Sequence, residues 1–363
     1  MAAALQQPID SQPEHAGEAQ AEACLEAVEI DWQQQLSQLC QQPVKASDRL
    51  HWMLVMREKL FGDESSNLDD HQIADLMLEL AERLCDWPVV IYLREYADDH
   101  KDHGHYIVQN KLKLAGAYHQ QGLLLEAAEC IRNGLLVHYQ QSELAQYHWQ
   151  LQQALNTGLF APQDLQAGPL ILTPLSDYHL SAFCWVYADP KISQLCNLPE
   201  FENNDHWLNW LANDQTHKNK YLFAVIHREW GFIGSVSLEV FDGIGFFYYW
   251  LGVDFQGHGF GPQAVDLLLN LGDNCLGLNC CYAKVYEHNT PSQKAMEKLG
   301  FKRLPFAVEA PYDNELLYYL GPDKPEQTLF AELDWLFAAQ DSDTRLVGAL
   351  AWRLGLLAIA PAF

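Results

Sequence analysis

The stretch "WLGVDFQGHGFGPQAVDLLLNLG", Trp250 to Gly272, runs an apolar segment into three alternating glycines and then into an amphipathic run. Gly257, Gly259 and Gly261 stand where the chain must turn. Glycine, lacking a Cβ, takes backbone conformations closed to other residues. Beyond them Ala264, Leu268 and Leu271 recur at helical spacing, which predicts a helix over about 261–276 with one face on a sheet. The first N–H groups of such a helix have no acceptor inside it, and the helix dipole adds partial positive charge there. Strand, glycine turn and helix start together make an anion site suited to a pyrophosphate. Cationic side chains are scarce around the turn, so backbone N–H groups must do most of the binding.

Around this turn, from Gly168 to Gly321, β-branched and aromatic runs are broken by Gly, Pro and Asn. Strands are expected in "GPLILTPL", "YLFAVIH", "FIGSVSLEVF", "IGFFYYWLGV", "NCCYAKVYE", "FKRLPFAVEA" and "NELLYYLG". Helices are expected at about 176–188, 203–214, 261–276 and 291–299. From Cys24 to Asn156 the chain is instead helical in period, rich in Gln and Leu, and "NTGLFAPQDLQAG" has the turn chemistry of a linker. Within the first part, "KLKLAGAYHQQGLLLEAAECIRNGLLVHY" sets small residues at Ala115, Ala127 and Gly134 and fillers at Leu114, Tyr118 and Ile131. That spacing resembles a tetratricopeptide repeat, although an ordinary helical bundle uses the same device at its contacts. The fold class is therefore α+β: an N-terminal all-α, helical-repeat-like domain, a mixed α/β domain and a short helical tail. The expected boundaries are a disordered leader over 1–22, the helical domain over 23–160, the mixed domain over 168–322 and the tail over 323–363. On the tail, Leu346, Leu350, Leu354 and Leu357 form a stripe, expected to dock on the helical half or on a partner. Arg353 and Pro361 interrupt that run, which argues against a membrane span.

A chain of 363 residues with 49% apolar and 12% aromatic residues can build two cores. Its 48 acidic against 22 basic residues give a formal charge of −26. Such a surface repels nucleic acid and anionic membranes and suits cationic partners such as a basic protein tail or a polyamine; it also serves solubility. The nine cysteines are scattered without a CxxC pair, which fits reduced thiols in the cytoplasm. The N-terminus lacks the basic and apolar regions of a secretory signal. Only "HKDHGHY" (His100, His103, His105) is dense in histidine, its spacing matches no structural zinc pattern, and no metal is expected.

Three phosphate-binding loops compete for the turn. A P-loop needs Gly-Lys-Ser/Thr where this chain has Gly261-Pro262-Gln263, and a dinucleotide fold needs GxGxxG after its first strand. The third pattern is Gln/Arg-x-x-Gly-x-Gly/Ala, met here by Gln256, Gly259 and Gly261. Downstream, "VYEHNTPSQKAMEKLGF" supplies a strand ending before Asn289-x-x-Ser292 and a short helix closing on Lys298-Leu299-Gly300-Phe301. The two motifs, with "YYWLGV" before them, resemble the GNAT superfamily of N-acetyltransferases, and within it the ribosomal-protein N-terminal acetyltransferase branch. The resemblance implies a GNAT mixed α/β domain and acetyl-CoA as co-substrate, with no metal. It places Leu251, Val253, Gln256, Gly257, His258, Gly259, Phe260, Gly261, Asn289 and Ser292 along the cofactor, and the thioester where two parallel strands part.

Amine attack on a thioester needs a neutral amine, a donor for the oxyanion and a proton for the thiolate. By the resemblance, Glu309 in "FAVEAPYDNELL" and Glu239 in "SVSLEVFD" are the candidate bases, with Glu309 favoured; either also reads as a solvated strand-edge carboxylate. Many relatives carry a tyrosine as acid where this chain has Met296, and Lys284 stands where another branch has a glutamate. Ser292 is then either the acid or a helix cap. The implied activity is acetyl transfer to a primary amine of a protein, peptide or small molecule, the acceptor being a basic protein or peptide held by the helical domain. The alternative is a catalytically silent acyl-CoA-binding or scaffold protein. An acyl group longer than acetyl is a third reading.

Overall fold

A computed structural model describes residues 32–41, 44–62, 71–100, 104–138, 140–157, 160, 162–196 and 199–353. The leader expected over 1–22, Leu354 and Leu357, and the side chains of His100, His103 and His105 lie outside the described residues. Helices α1 (Trp32–Gln41), α2 (Arg49–Phe61), α3 (His71–Leu84), α4 (Trp87–His100), α5 (Gly104–Gln120), α6 (Leu124–Val137) and α7 (Ser142–Thr157) fill the N-terminal half. From α4 to α7 each packs chiefly on its neighbours in sequence, whereas α3 packs most on α1. The small residues act as their spacing predicts. Ala115 and Ala127 are fully buried, and a Cβ at Gly134 would stand 3.4 Å from Leu144 and 3.5 Å from Lys111.

The C-terminal half carries β1 (Gln166–Ala167), β2 (Leu170–Pro174), β3 (Lys220–His227), β4 (Gly231–Phe241), β5 (Ile244–Leu251), β6 (Cys280–Tyr286), β7 (Lys302–Arg303) and β8 (Glu315–Leu320). They form one sheet in the order β1-β2-β3-β4-β5-β6-β8-β7. Neighbours are antiparallel except β5 and β6, which run parallel through Ile244↔Cys280, Gly245↔Cys281 and Phe246↔Tyr282 and pair no further. Helices α8 (Leu180–Tyr187), α9 (Pro190–Leu195) and α10 (Asn204–Asp214) connect β2 to β3, α11 (Phe260–Leu276) follows β5, and α12 (Thr290–Lys298) follows β6.

Successive residues of a strand face opposite sides of its sheet, and β5 shows the consequence. Phe247 joins a core with Ala264, Leu268 and Leu271 of α11, while Phe246 joins a second core with Leu333, Leu336 and Phe337 of α13 (Glu326–Ala339). The tail from α13 to Ala349 therefore docks on its own sheet; of the leucine stripe expected to dock on the helical half or on a partner, Leu346 joins this core, Leu350 is exposed, and Leu354 and Leu357 lie outside the described residues. The stripe responsible is Leu329, Phe330, Leu333, Leu336 and Phe337, at helical spacing one element earlier. Leu346 is not helical: it bridges to Val308 and is fully buried, and α14 (Ala349–Arg353) begins after it. The strand expected in "FKRLPFAVEA" is cut to Lys302–Arg303, because Pro305 has no N–H to give a ladder.

The halves meet at the β3–β4 turn. Arg57 of α2 donates to both carboxylate oxygens of Asp86, at 3.0 and 2.6 Å, and to the carbonyl of Glu229, and its guanidinium lies 4.4 Å from the Trp230 ring centroid. Asp86 is fully buried, while Arg57 keeps partial contact with solvent.

Candidate functional site

The glycine turn has the predicted form. Gly257 (φ +82°) and Gly259 (φ +81°) take left-handed conformations, and Gly259 stands at the N-terminal cap of α11 without a capping side chain. The helical hydrogen-bond ladder starts with Gln263 N–H donating to the Gly259 carbonyl at 3.3 Å. Pro262 sits in the first turn, where its missing N–H costs nothing. Gly261 has a separate reason to be glycine: a Cβ there would lie 3.0 Å from the Tyr249 ring, so the helix start closes on β5. The Gln256 amide folds back and donates to the Leu251 carbonyl at 3.0 Å, tying the turn to the strand end.

A cavity of about 700 Å³ opens beside this turn and runs past the parting of β5 and β6. That volume is ordinary for a site holding a substantial organic ligand. Leu251, Gln256, Gly257, Gly259, Gly261, Asn289 and Ser292 line it. Val253 opens a short 3-10 turn behind the wall, His258 is exposed and stacks on Phe260, and Phe260 packs against His227 at 4.9 Å; none of the three residues of the sequence reading lines the cavity. Asn289 is buried, and its Oδ1 accepts from the Ser292 N–H at 3.2 Å. Asn289 is thus the cap of α12, which frees the Ser292 hydroxyl; that oxygen accepts from the Tyr249 hydroxyl at 3.2 Å. Burial pushes the Tyr249 phenol up, against an opposing pull from Ser292, so it keeps its proton at neutral pH. Met296 is fully buried core.

The far end of the cavity is charged. Glu239 meets Lys220 at 3.6 Å and accepts from Gln340 Nε2 at 2.6 Å. Lys220 also bonds Asp214. Glu315, 4% exposed, pairs with Lys284 at 3.0 Å, and Lys284 reaches the Thr344 hydroxyl at 3.0 Å. Burial raises the Glu315 carboxyl above the usual range, and Lys284 pulls it back. Lys220, Glu239, Lys284, Glu315, Gln340 and Ser342 all line the cavity. Glu309 does not: it is exposed, and its N–H donates to the Arg345 carbonyl at 2.8 Å. Sequence reading overlooked Glu315, Gln340 and Tyr249. Glu315 is buried by its register opposite Tyr286, which the residues of "ELLYYL" do not by themselves reveal.

The acetyltransferase (GNAT) domain family matches residues 169–302. An uncharacterized N-acetyltransferase, p20, of Bacillus licheniformis is 30% identical over 135 residues, spanning 33% of this chain and 71% of that protein. Among solved structures, a ribosomal-protein-S5-alanine acetyltransferase from Vibrio fischeri is 20% identical, covering 44% of this chain and 98% of its own, with a TM-score of 0.38. An acetyltransferase from Salmonella typhimurium that modifies the N-terminal serine of ribosomal protein L7/L12 is 16% identical, covering 43% and 97%, with a TM-score of 0.39. Given the match of its mixed sheet and the extent of the curated relative it covers, the chain belongs to the GNAT acetyltransferase family.

Proposed function

We propose that the chain is an acetyl-CoA-dependent N-acetyltransferase acting on a primary amine. The observation that carries this reading is one continuous cavity joining the glycine turn to Glu239 and Glu315 across the point where β5 and β6 part. Acetyl-CoA would set its pyrophosphate on the N–H groups of Gly257–Gly261, with His258 at the rim and Asn289 beside the pantetheine arm. Beyond Phe246 the β5 backbone has no β6 partner, so the N–H groups on that edge, unlike those paired with β4, are available to polarise the thioester carbonyl.

The amine nitrogen attacks the thioester carbon; a C–N bond forms and the C–S bond breaks. Glu239, on β4 beside the parting, takes the proton from the amine. Ser292, itself hydrogen-bonded by Tyr249, gives a proton to the departing thiolate and is re-protonated from Tyr249, which regains its proton from solvent while Glu239 releases the amine's proton there. Glu309, outside the cavity wall, has no role in this scheme. The helical half is read as a tetratricopeptide-like arm that offers the acceptor, and the −26 charge favours a basic one. Eight free cysteines among the described residues support a reducing, cytoplasmic setting.

Isothermal titration with acetyl-CoA, followed by free-CoA release with a panel of basic peptides and small amines, tests the reading. Saturable binding and acceptor-dependent release are expected. A protein that binds acetyl-CoA but releases no CoA with any amine would be the silent scaffold, and one that binds none would end the proposal.

A further inference from the structure

Glu239 on β4 and Lys220 on β3 stand directly opposite each other in the sheet. Opposite charges at such a position attract, and the two side chains are expected to close on one another. They stop short. Glu239 Oε1 lies 3.6 Å from Lys220 Nζ, too long for a hydrogen bond. Each partner is drawn the other way: Lys220 bonds Asp214, and Glu239 Oε2 accepts from Gln340 Nε2 at 2.6 Å.

The donor is itself held in place. Gln340 caps the C-terminus of α13, directly after the buried turn of Leu336 and Phe337 that packs on the sheet. Asp341 follows in a left-handed conformation (φ +53°). Its N–H donates to the Ala338 carbonyl at 3.2 Å, and the Ser342 N–H donates to the Phe337 carbonyl at 2.9 Å. That pair of bonds closes a helix end and fixes the backbone of the cap. Gln340 Oε1 is buried without a partner, so among the described residues Glu239 alone orients the amide. Turned round, the amide would set two acceptor oxygens against each other. Gln340 also stands outside residues 169–302, the span that the family matches.

Resting on the reading in which Glu239 is the base, we propose that Gln340 is its positioning residue. By holding Oε2, the amide keeps the carboxylate from closing on Lys220, and Oε1 stays open to the N–H of the attacking amine. A carboxylate closed on a lysine commits the lone pairs that a base needs. The bond also fixes the rotation of the carboxyl group, and proton transfer depends on that geometry. The tail beyond the matched domain thereby completes the acceptor end of the site.

The test uses the full chain, Gln340→Met, Glu239→Gln and the double variant. Met keeps the length of the side chain and removes its donor. Free-CoA release from acetyl-CoA is followed at neutral pH with spermidine and tetralysine, and the faster of the two gives kcat. Hydroxylamine, uncharged at that pH, serves as an acceptor that needs no deprotonation before attack. Acetyl-CoA affinity is titrated on each protein in parallel. Gln340→Met is expected to lower kcat about tenfold while acetyl-CoA affinity stays within about twofold. In the Glu239→Gln background the same change should alter kcat by less than about twofold, because the group it positions is gone. With hydroxylamine its effect should likewise stay within about twofold. A Gln340 that matters only to the fold costs the same in both backgrounds and with every acceptor. That result, or an unchanged kcat in Gln340→Met, would overturn the positioning role. A Glu239→Gln with wild-type kcat would instead overturn the base on which the role rests, and a wild type that releases no CoA with any of these amines would overturn the enzyme reading.

Discussion

The two ends of the cavity are made of different material. At the cofactor end the wall is backbone: two left-handed glycines, a helix N-terminus without a capping side chain, and a third glycine closed against Tyr249. At the acceptor end it is side chain: two lysines, two glutamates and an amide from β3, β4, β6, β8 and the segment after α13. The first surface is set by a few consecutive residues and presents N–H groups whatever side chains surround them. The second depends on five separate segments arriving in register, so each of its members is answerable to another. On the proposed reading, chemistry shared among many acyltransferases belongs at the first end, and discrimination among amines at the second.

The largest effect is expected from the acceptor end. Glu239→Gln removes the base while keeping shape and the bond to Gln340, and kcat should fall about a hundredfold or more, with acetyl-CoA affinity unchanged. Steady-state CoA release set against direct acetyl-CoA titration separates the two quantities; a kcat within about threefold of wild type would move the base elsewhere. At the cofactor end, Gly259→Val forces a β-branched residue to φ +81°, a strain of about 2 kcal/mol. Acetyl-CoA affinity, read by isothermal titration, should drop at least about thirtyfold. An affinity within about threefold of wild type would take the turn out of the cofactor site.

The smallest effect concerns acid. His227, whose ring backs Phe260 behind the glycine turn, is pushed down to about 4 by burial, with Arg57 adding to it. Between an unfolded pKa of 6.5 and that folded value the unfolded chain binds more protons. Stability that is complete above about pH 6.5 is therefore lost as pH falls toward 4, by at most about 1.4 kcal/mol per unit. Thermal unfolding between pH 7 and 5 should show a shallower decline in His227→Gln, which keeps an acceptor for the Glu229 and Trp230 N–H groups. Parallel curves would take His227 out of the account.

This division also governs what could be read from the residues alone. The glycine turn and the "NTPSQKAMEKLGF" helix are local: their spacing, and the helix faces beside them, can be seen in a single window. The acceptor end spans Lys220 to Gln340, and no window holds it. Glu309 and Glu315 stand six places apart in the same turn-rich stretch. Which of them turns inward depends on where β8 starts, and that is fixed by pairing with Tyr286 rather than by composition. Gln340 acquires its place only because Phe330, Leu333 and Phe337 dock on the sheet, while the more conspicuous leucine stripe beyond begins with Leu346 in a bridge.

Arg57 bears on how this molecule can be taken apart. A gene fragment beginning near Gly168 would keep every residue of the cavity wall and lose α2. The Trp230 ring would be stripped of its guanidinium lid, the Glu229 carbonyl of its donor, and the hairpin's glycine, Gly231, of the neighbours Gln121 and Cys85. A truncation made for convenience would thus expose an aromatic hairpin tip as an aggregation handle. The helical half covers the β3–β4 turn of the mixed sheet, and the two are best produced as one polypeptide.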